Sequence, residues 1–401
     1  MRIFGIVAEY NPFHNGHLHQ IKETRNNGAT HIVAVMSGNY VQRGDTAIID
    51  KFKRAEIAVS CGADLAIELP TPYALSSAEF FAKGAVFILH SLGCVDGISF
   101  GSECGDIEKL YSAAFASKSL SNSAELKNLL EDGIPYPLAM QKLAHEKFGE
   151  EVSDIFSHPN NLLGIEYLKA LDFFESGIKP MTIPRKEAMH DSMDASGEIA
   201  SASFVRSLAR KQDDYVHFVP QKTAETLKKC FNAGEISDII NLEKPILYKL
   251  RSMTPDEISG IPDVSHGLEH RIFSGAKSAK SLDELMFLIK TKRYPLAKIR
   301  RILLCALLGI KKEHMKIFPP YARVLAVNDA GVQIIKKAQK TSLIPIDTSL
   351  LRLSKINPDT KLFSELEALA TDIYALSLPK IQACGREYTI KIKKTEQEFK
   401  P

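Results

Sequence analysis

The chain has 401 residues, with 51 Lys and Arg against 48 Asp and Glu and a formal net charge of +3. That length holds two or more domains of ordinary size, and 45% apolar with 25% charged residues is a globular composition. So mild a charge excludes binding to nucleic acid through the overall field, and leaves only a local basic patch for that task. No apolar run reaches the roughly 20 residues of a membrane span. Six scattered cysteines with no CxxC pair fit reduced thiols. With no leader pattern before the first strand, a cytoplasmic protein is expected.

Ile3, Phe4, Ile6 and Val7 predict a short buried parallel strand. Asn11-Pro12 ends it, because a proline restricts the residue before it to extended conformations. His14-Asn-Gly-His17 follows, then His19, Ile21 and Lys22 in a helix expected over 17–27. A helix N-terminus carries unpaired N–H groups and partial positive charge, so it is a ready anion site. Two imidazoles three residues apart there can donate hydrogen bonds to one phosphate, and Gly16 between them leaves room for a close approach. A zinc pair and plain surface residues are the competing readings, the first of them testable by ligand count. A zinc site needs about four ligands, and no cysteine lies nearby in the sequence.

Residues 31–37 predict a second buried strand, making a βαβ unit with the first. The glycine-bounded loop Gly38 to Gly44 belongs beside the histidines, since ligands of open α/β sheets sit beyond the carboxyl ends of strands. A helix over 50–61, strands at 65–69 and 97–100, and a helix over 76–92 continue the pattern. Gly101 directly after the fourth strand permits close approach of a ligand. Helices are expected over 106–118, 123–132 and 137–147. A further helix is entered at Pro159-Asn-Asn, where Asn160 or Asn161 can cap it. A fifth strand at 178–183 brings Arg185 and Lys186 to the ligand side. Ser201 and Ser203 then precede a helical run with Arg206 in its first turn, a candidate second phosphate clamp.

Beyond about residue 220 the pattern turns helical, with helices expected over 222–233 and 282–291 and short strands at 321–327 and 342–346. Between Lys290 and Lys316 there are nine basic residues against one acid, Glu313. Lys290, Lys292, Arg293, Lys298, Arg300 and Arg301, with Tyr294 for stacking, make this the candidate RNA-binding segment. The tail from Lys391 to Pro401 is expected to fray. The fold expected is α/β, a Rossmann-like parallel sheet in a catalytic domain over 1–220, followed by a mainly helical domain over 221–401.

The H-x-G-H string resembles the signature of the nucleotidylyltransferase and class I aminoacyl-tRNA synthetase superfamily. Its histidines stabilise charge on the α/β-phosphates as an adenylate forms. Ile199-Ala-Ser-Ala-Ser-Phe-Val-Arg206 resembles the nucleotidylyltransferases' second motif, I-S-S-T-x-x-R, with an insertion that leaves both serines as candidates. No K-M-S-K-S string is present, which argues against a synthetase. The longer set Glu9-Tyr-Asn-Pro-Phe-His-Asn-Gly-His, Met36-Ser-Gly, Gln42-Arg-Gly, Phe100-Gly-Ser-Glu, Pro159-Asn-Asn-Leu-Leu-Gly-Ile-Glu-Tyr and Thr291-Lys-Arg-Tyr resembles the bacterial tRNA(Met) cytidine acetate ligase family.

That resemblance implies an enzyme that makes acetyl-adenylate from ATP and acetate and passes the acetyl group to N4 of the wobble cytidine, position 34, of elongator tRNA(Met). It implies no use of coenzyme A, and Mg²⁺ bridging the phosphates with no protein ligand assigned. His14 and His17 would be catalytic. ATP contacts are implied at Val7, Ala8, Glu9, Tyr10, Asn11, Pro12, Phe13, His14, Asn15, Gly16, His17, Leu18, His19 and Gln20. Others are implied at Gly101, at Asn161 or its neighbour Asn160, and at Arg185. A nucleotidylyltransferase acting on a small phosphorylated metabolite is the rival reading, and a non-catalytic RNA-binding protein is the next.

Overall fold

The computed structural model describes residues 1–185, 200–265, 267–291 and 294–397. Its strands are β1 (Ile3–Ala8), β2 (His31–Ser37), β3 (Tyr40–Val41), β4 (Asp45–Thr46), β5 (Leu65–Leu69), β6 (Gly97–Ser102), β7 (Lys179–Pro184), β8 (Ala322–Val327) and β9 (Ile346–Asp347). Seven of them form one sheet in the order β7-β6-β1-β2-β5-β8-β9, while β3 and β4 pair as a small antiparallel ribbon. All the sheet's pairings are parallel except that of β5 with β8.

Covered on both faces, the central strands read as unbroken apolar runs rather than alternating ones. Ile3, Val7, Val33, Val35, Leu65 and Ile67 point into one core, against the helix Ala78–Ser91. Phe4, Ile6, Ile32, Ala34, Met36 and Ala66 point into the other, against α2 (Lys51–Ser60). A third core, built on Ile246, Leu250, Ile272, Leu285, Ile302 and Leu303, fills the helical part of the chain.

The sheet draws on both ends of the sequence, since β8 and β9 lie beyond residue 320. All six residues of β8 are buried. The strand expected over 342–346 is only the pair Ile346–Asp347. The tail is not frayed where the structure describes it. Lys394 bridges Val327, and the N–H of Thr395 donates to the Val327 carbonyl at 2.9 Å.

A cluster of charges joins these distant segments. Lys51, Glu68, Arg323, Glu367 and Glu387 are each no more than 1% exposed. Lys51 Nζ pairs with Glu68, with Glu387 at 2.7 Å and with Glu367 at 3.8 Å. Arg323 pairs with Glu387, and with Glu68 at 3.4 Å. Three carboxylates against two cations would leave a surplus buried charge. Burial, reinforced by Glu68, pushes the Glu367 carboxyl up to about 8, so at neutral pH it holds a proton and the count balances. Glu387 goes the other way: burial opposes its charge, but Lys51 and Arg323 outweigh that and hold it down at about 2.

Two substitutions separate these roles. Glu387→Gln leaves Lys51 and Arg323 to share Glu68, one buried charge uncompensated, and is expected to cost about 3–5 kcal/mol, while Glu367→Gln should cost about 1 kcal/mol or less. Between its ordinary value of 4.5 and about 8, native Glu367 keeps a proton that the unfolded chain releases. Its contribution to stability therefore falls as pH rises through that window. Urea unfolding from pH 5 to 8 should show Glu367→Gln gaining on the parent chain as pH rises. Equal losses for the two variants at pH 7 would contradict this assignment.

Candidate functional site

The chain winds from β1 outward to β2 and β5, then returns to the other side of β1 as β6. The strand order therefore switches between β1 and β6, and a ligand crevice opens beyond their carboxyl ends. A cavity of about 610 Å³ lies there. Val7, Ala8 and Glu9 line it from β1 and the residue after it, Phe100 and Gly101 from β6, and Ile183, Pro184 and Arg185 from β7 and the residue after it. A Cβ on Gly101 would make only ordinary contact with the Arg185 side chain, at 3.4 Å, so the strand's own packing does not demand a glycine there.

His14 and His17 also line the cavity, and the three-residue spacing has a local cause. His14 is the N-cap of α1 (Asn15–Asn26) and His17 is its third residue. The Gly16 N–H donates to His14 Nδ1 at 3.1 Å, and the His14 N–H donates to His17 Nδ1 at 3.2 Å. This is a capping box in which imidazoles replace the usual hydroxyl and carboxylate. The rings stack with centroids 3.7 Å apart, and Tyr10 and Phe13 pack against His17. A neutral imidazole whose Nδ1 accepts must carry its proton on Nε2. Each ring thus has one N–H left to donate. Burial, then Arg185 and Arg206, lowers the His14 pKa to about 3. Burial, then His14 and Arg185, holds His17 well below its usual value. Both rings are neutral donors at physiological pH.

Arg43, Arg185, Arg206 and Arg301 supply the positive charge of the walls. Arg206 is held by the Asn11 carbonyl at 2.7 Å and by Ser203 Oγ at 3.1 Å. Ser201 caps the helix Ala202–Lys211 by accepting the Phe204 N–H at 3.2 Å. Both serines line the cavity. Arg301 donates to Asp263 at 3.0 Å and to the Gln42 carbonyl at 3.3 Å. It comes from the helix Leu296–Leu308, which packs tightly on the 38–44 loop. Gly44 has a φ of +72°, and a Cβ there would meet the Arg301 nitrogen at 2.6 Å.

Tyr10, Asn11, Gly16, His19 and Gln20 line the cavity as well. Pro12, Phe13, Asn15 and Leu18 do not: Phe13 and Leu18 pack in the core, and Asn15 Nδ2 donates to the His217 carbonyl at 2.9 Å. Of the adjacent asparagines, Asn160 lines the cavity. Asn161 lies beneath, its Oδ1 accepting the N–H groups of Glu103 at 3.0 Å and Cys104 at 3.1 Å. Neither caps the helix Pro159–Phe173, which starts on proline, a favoured first helical residue, with His158 as N-cap. Lys290, Lys298 and Arg300 lie outside the cavity, and Lys298 sits over the Tyr294 ring at 5.2 Å. Tyr294 is buried in the helical core, so it offers no face for a stacked base. Lys186, Ile199, Lys292 and Arg293 lie outside the described residues. Tyr167, Leu162, Leu163 and Phe81 form an apolar wall to which sequence reasoning gave no role. On helices their spacing is that of ordinary core residues, and only the family string Pro159 to Tyr167 carried the first three.

A family model described as HIGH Nucleotidyl Transferase matches residues 1–388. A tRNA(Met) cytidine acetate ligase of Alkaliphilus metalliredigens is 43% identical over 404 residues, covering 94% of this chain and 95% of its own. One from a Thermoanaerobacter species is 39% identical, covering 97% and 98%. Two crystal structures of Thermotoga maritima TmcAL, one bound with alpha-thio ATP and one apo, superpose with TM-scores of 0.88 and 0.90. Each is 32% identical and covers 97% of this chain and 98% of its own.

The imidazole assignment has a direct readout. ¹⁵N spectra of the histidine-labelled protein should show His14 and His17 with a bare Nδ1 and a protonated Nε2 from pH 8 down to 5. A ring that gains a second proton near pH 6.5 would contradict it. Native His14 refuses a proton that the unfolded chain takes up below its ordinary 6.5. This group therefore removes stability as pH falls from about 6.5 towards 3.

Proposed function

The chain belongs to the HIGH nucleotidyl transferase family and, within it, to the tRNA(Met) cytidine acetate ligases, and from that premise we propose that it joins acetate to N4 of the wobble cytidine of elongator tRNA(Met) at the expense of ATP. The products are N4-acetylcytidine, AMP and pyrophosphate. The observation that carries the reading is the pair of neutral imidazoles, each with Nδ1 tied to a backbone N–H, on the wall of an arginine-lined cavity at the switch point of the sheet.

Acetate resists nucleophiles because its carboxylate is anionic. Joined to AMP as a mixed anhydride, it has a good leaving group. The protein's part is positioning and electrostatics. We assign the Nε2–H groups of His14 and His17 to the α/β-phosphate oxygens, where charge builds as pyrophosphate leaves. Neutral donors suit this work because they need no counter-ion and lose no proton to the phosphate. Arg185 and Arg206, with Ser201 and Ser203, would hold the remaining phosphate charge. Asn160, Gly101 and the apolar wall would take the nucleoside. Mg²⁺ would neutralise triphosphate charge, and no protein ligand is assigned to it. Among the described residues, no three or more His, Cys, Asp and Glu gather as a metal cage. Acetate itself, without coenzyme A, is the acyl donor in this scheme.

The basic residues around the Leu296–Leu308 helix are assigned to the tRNA. Arg301 is the one that lines the cavity, and Ala297 of the same helix lines it too. A base splayed from the anticodon loop would enter along this helix.

Radiolabelled acetate, ATP and tRNA test the reading together. Label in tRNA as N4-acetylcytidine, with pyrophosphate exchange that requires acetate, is the expected result. Exchange driven only by a phosphorylated small molecule would favour a plain nucleotidylyltransferase. His14→Ala should cost on the order of 3 kcal/mol in the adenylation barrier, about a hundredfold in rate. Exchange kinetics check this, and an unchanged rate would contradict it. Lys290→Glu and Lys298→Glu should weaken tRNA binding and lower its salt slope by about one or more per site. Equal loss of ATP affinity, measured by calorimetry, would contradict the tRNA assignment.

A further inference from the structure

We infer that Glu9 takes the proton released by the cytidine amine during acetyl transfer, an assignment that rests on the ligase reaction proposed above. Among the described residues, Glu9 is the only Asp or Glu that lines the cavity. It stands at the carboxyl end of β1, among four arginines on the walls. A carboxylate there weakens the hold on the nucleotide's phosphates, so gripping the triphosphate does not explain its presence. The chemistry of the second half-reaction does.

The geometry sets the carboxylate between the two halves of the site. Its Oε1 accepts the Gln42 N–H at 2.8 Å, which fixes the side chain. Among the described residues Oε2 accepts no hydrogen bond. The Gln42 carbonyl in turn accepts from Arg301 Nη1 at 3.3 Å, on the helix assigned to tRNA. Five residues further along the chain begins the imidazole pair. Glu9 is thus joined through one residue, Gln42, to the RNA side and by one loop to the phosphate side.

The amine needs such a group. The N4 lone pair of cytidine is delocalised into the ring, and the nitrogen becomes acidic as it acquires the acetyl group. N4 adds to the carbonyl carbon of acetyl-adenylate, forming the C–N bond. The C–O bond to the AMP phosphate then breaks, and its electron pair leaves with AMP. One proton passes from N4 to Glu9 and on to water. His14 and His17 cannot accept it, since Nδ1 of each is already taken and Nε2 carries a proton. His19 is the other proton acceptor on the wall and serves as the comparison.

Glu9→Gln keeps the shape and the Gln42 contact but removes the base. Two rates are measured on each protein: acetate-dependent ATP–pyrophosphate exchange, and single-turnover transfer from added acetyl-adenylate to a tRNA(Met) transcript. A general base is worth about 10²–10⁴ in rate. Glu9→Gln is therefore expected to slow transfer at least thirtyfold more than exchange, with the KM for tRNA little changed. Glu9→Asp should recover part of the transfer rate. If Glu9→Gln does not fold, Glu9→Asp carries the test, because its retracted carboxylate should still slow transfer more than exchange. Equal loss of both rates would overturn the proposal and make Glu9 a nucleotide or cation contact. So would transfer at the parent rate, or a selective loss in His19→Gln instead. Failure of the parent protein to exchange pyrophosphate with acetate, or to label tRNA, would end the ligase reading itself and is seen before any variant is made.

Discussion

Two backbone N–H groups at the start of one helix, each donating to the Nδ1 of a histidine, set the chemistry of the whole cavity. They fix the tautomer, so the outward nitrogen of each ring is a donor. They also fix the spacing, because N-cap and third helical residue are the positions from which side chains reach those amides. Rings stacked 3.7 Å apart, His14 buried and His17 half-buried, cannot both be charged beside Arg185 and Arg206. Neutrality is therefore built in. Each ring can meet an anion without repelling its neighbour, and the arginines supply the net charge.

Holding this arrangement is the task of buried polar groups beneath it. The guanidinium of Arg54, wholly buried on α2, donates to the carbonyls of Ile49, Glu9, Ser37 and Gly38. It thereby ties the ends of β1 and β2 together under the cavity. Gly38 lies over Glu68, where a Cβ would meet the carboxylate at 2.8 Å. From there the ion cluster runs on to Arg323, Glu367 and Glu387. Such a cluster is weak grounds for stability, since apolar replacements often serve as well. Its physical consequence is positional: residues beyond 320 are fastened to the strands that shape the site.

Much of this is legible in the sequence. Apolar runs marked the central strands because burial on both faces removes alternation. His14 and Arg185 follow a strand's carboxyl end, and that rule gathers residues 171 positions apart from the sequence alone; Gly101, expected just past its strand, lies within β6, which runs on to Ser102. What escaped has physical causes. Neighbours on a helix point about 100° apart, and the clasp with Glu103 decides that Asn160 faces inward and Asn161 does not. An apolar run does not say which way a strand points, so the strand expected over 321–327 gave no sign that, as β8, it would join the main sheet antiparallel to β5. Tyr294 looked available beside its basic neighbours, yet its ring completes a core shared with Leu250, Ile272, Leu285 and Ile302 on helices before and after it. Lys51, Glu68, Arg323, Glu367 and Glu387 look like solvated charges in sequence. They meet only once the fold has formed.

The central claim is that the two Nε2–H groups grip the triphosphate in the crevice between β1 and β6. A crystal structure of this chain with a non-hydrolysable ATP analogue tests it most directly. The account requires α- or β-phosphate oxygens within hydrogen-bond distance of Nε2 on both His14 and His17, with each Nδ1 still held by its backbone amide. A polyphosphate bound away from the start of the first helix would contradict it, as would rings turned to present Nδ1 to the ligand.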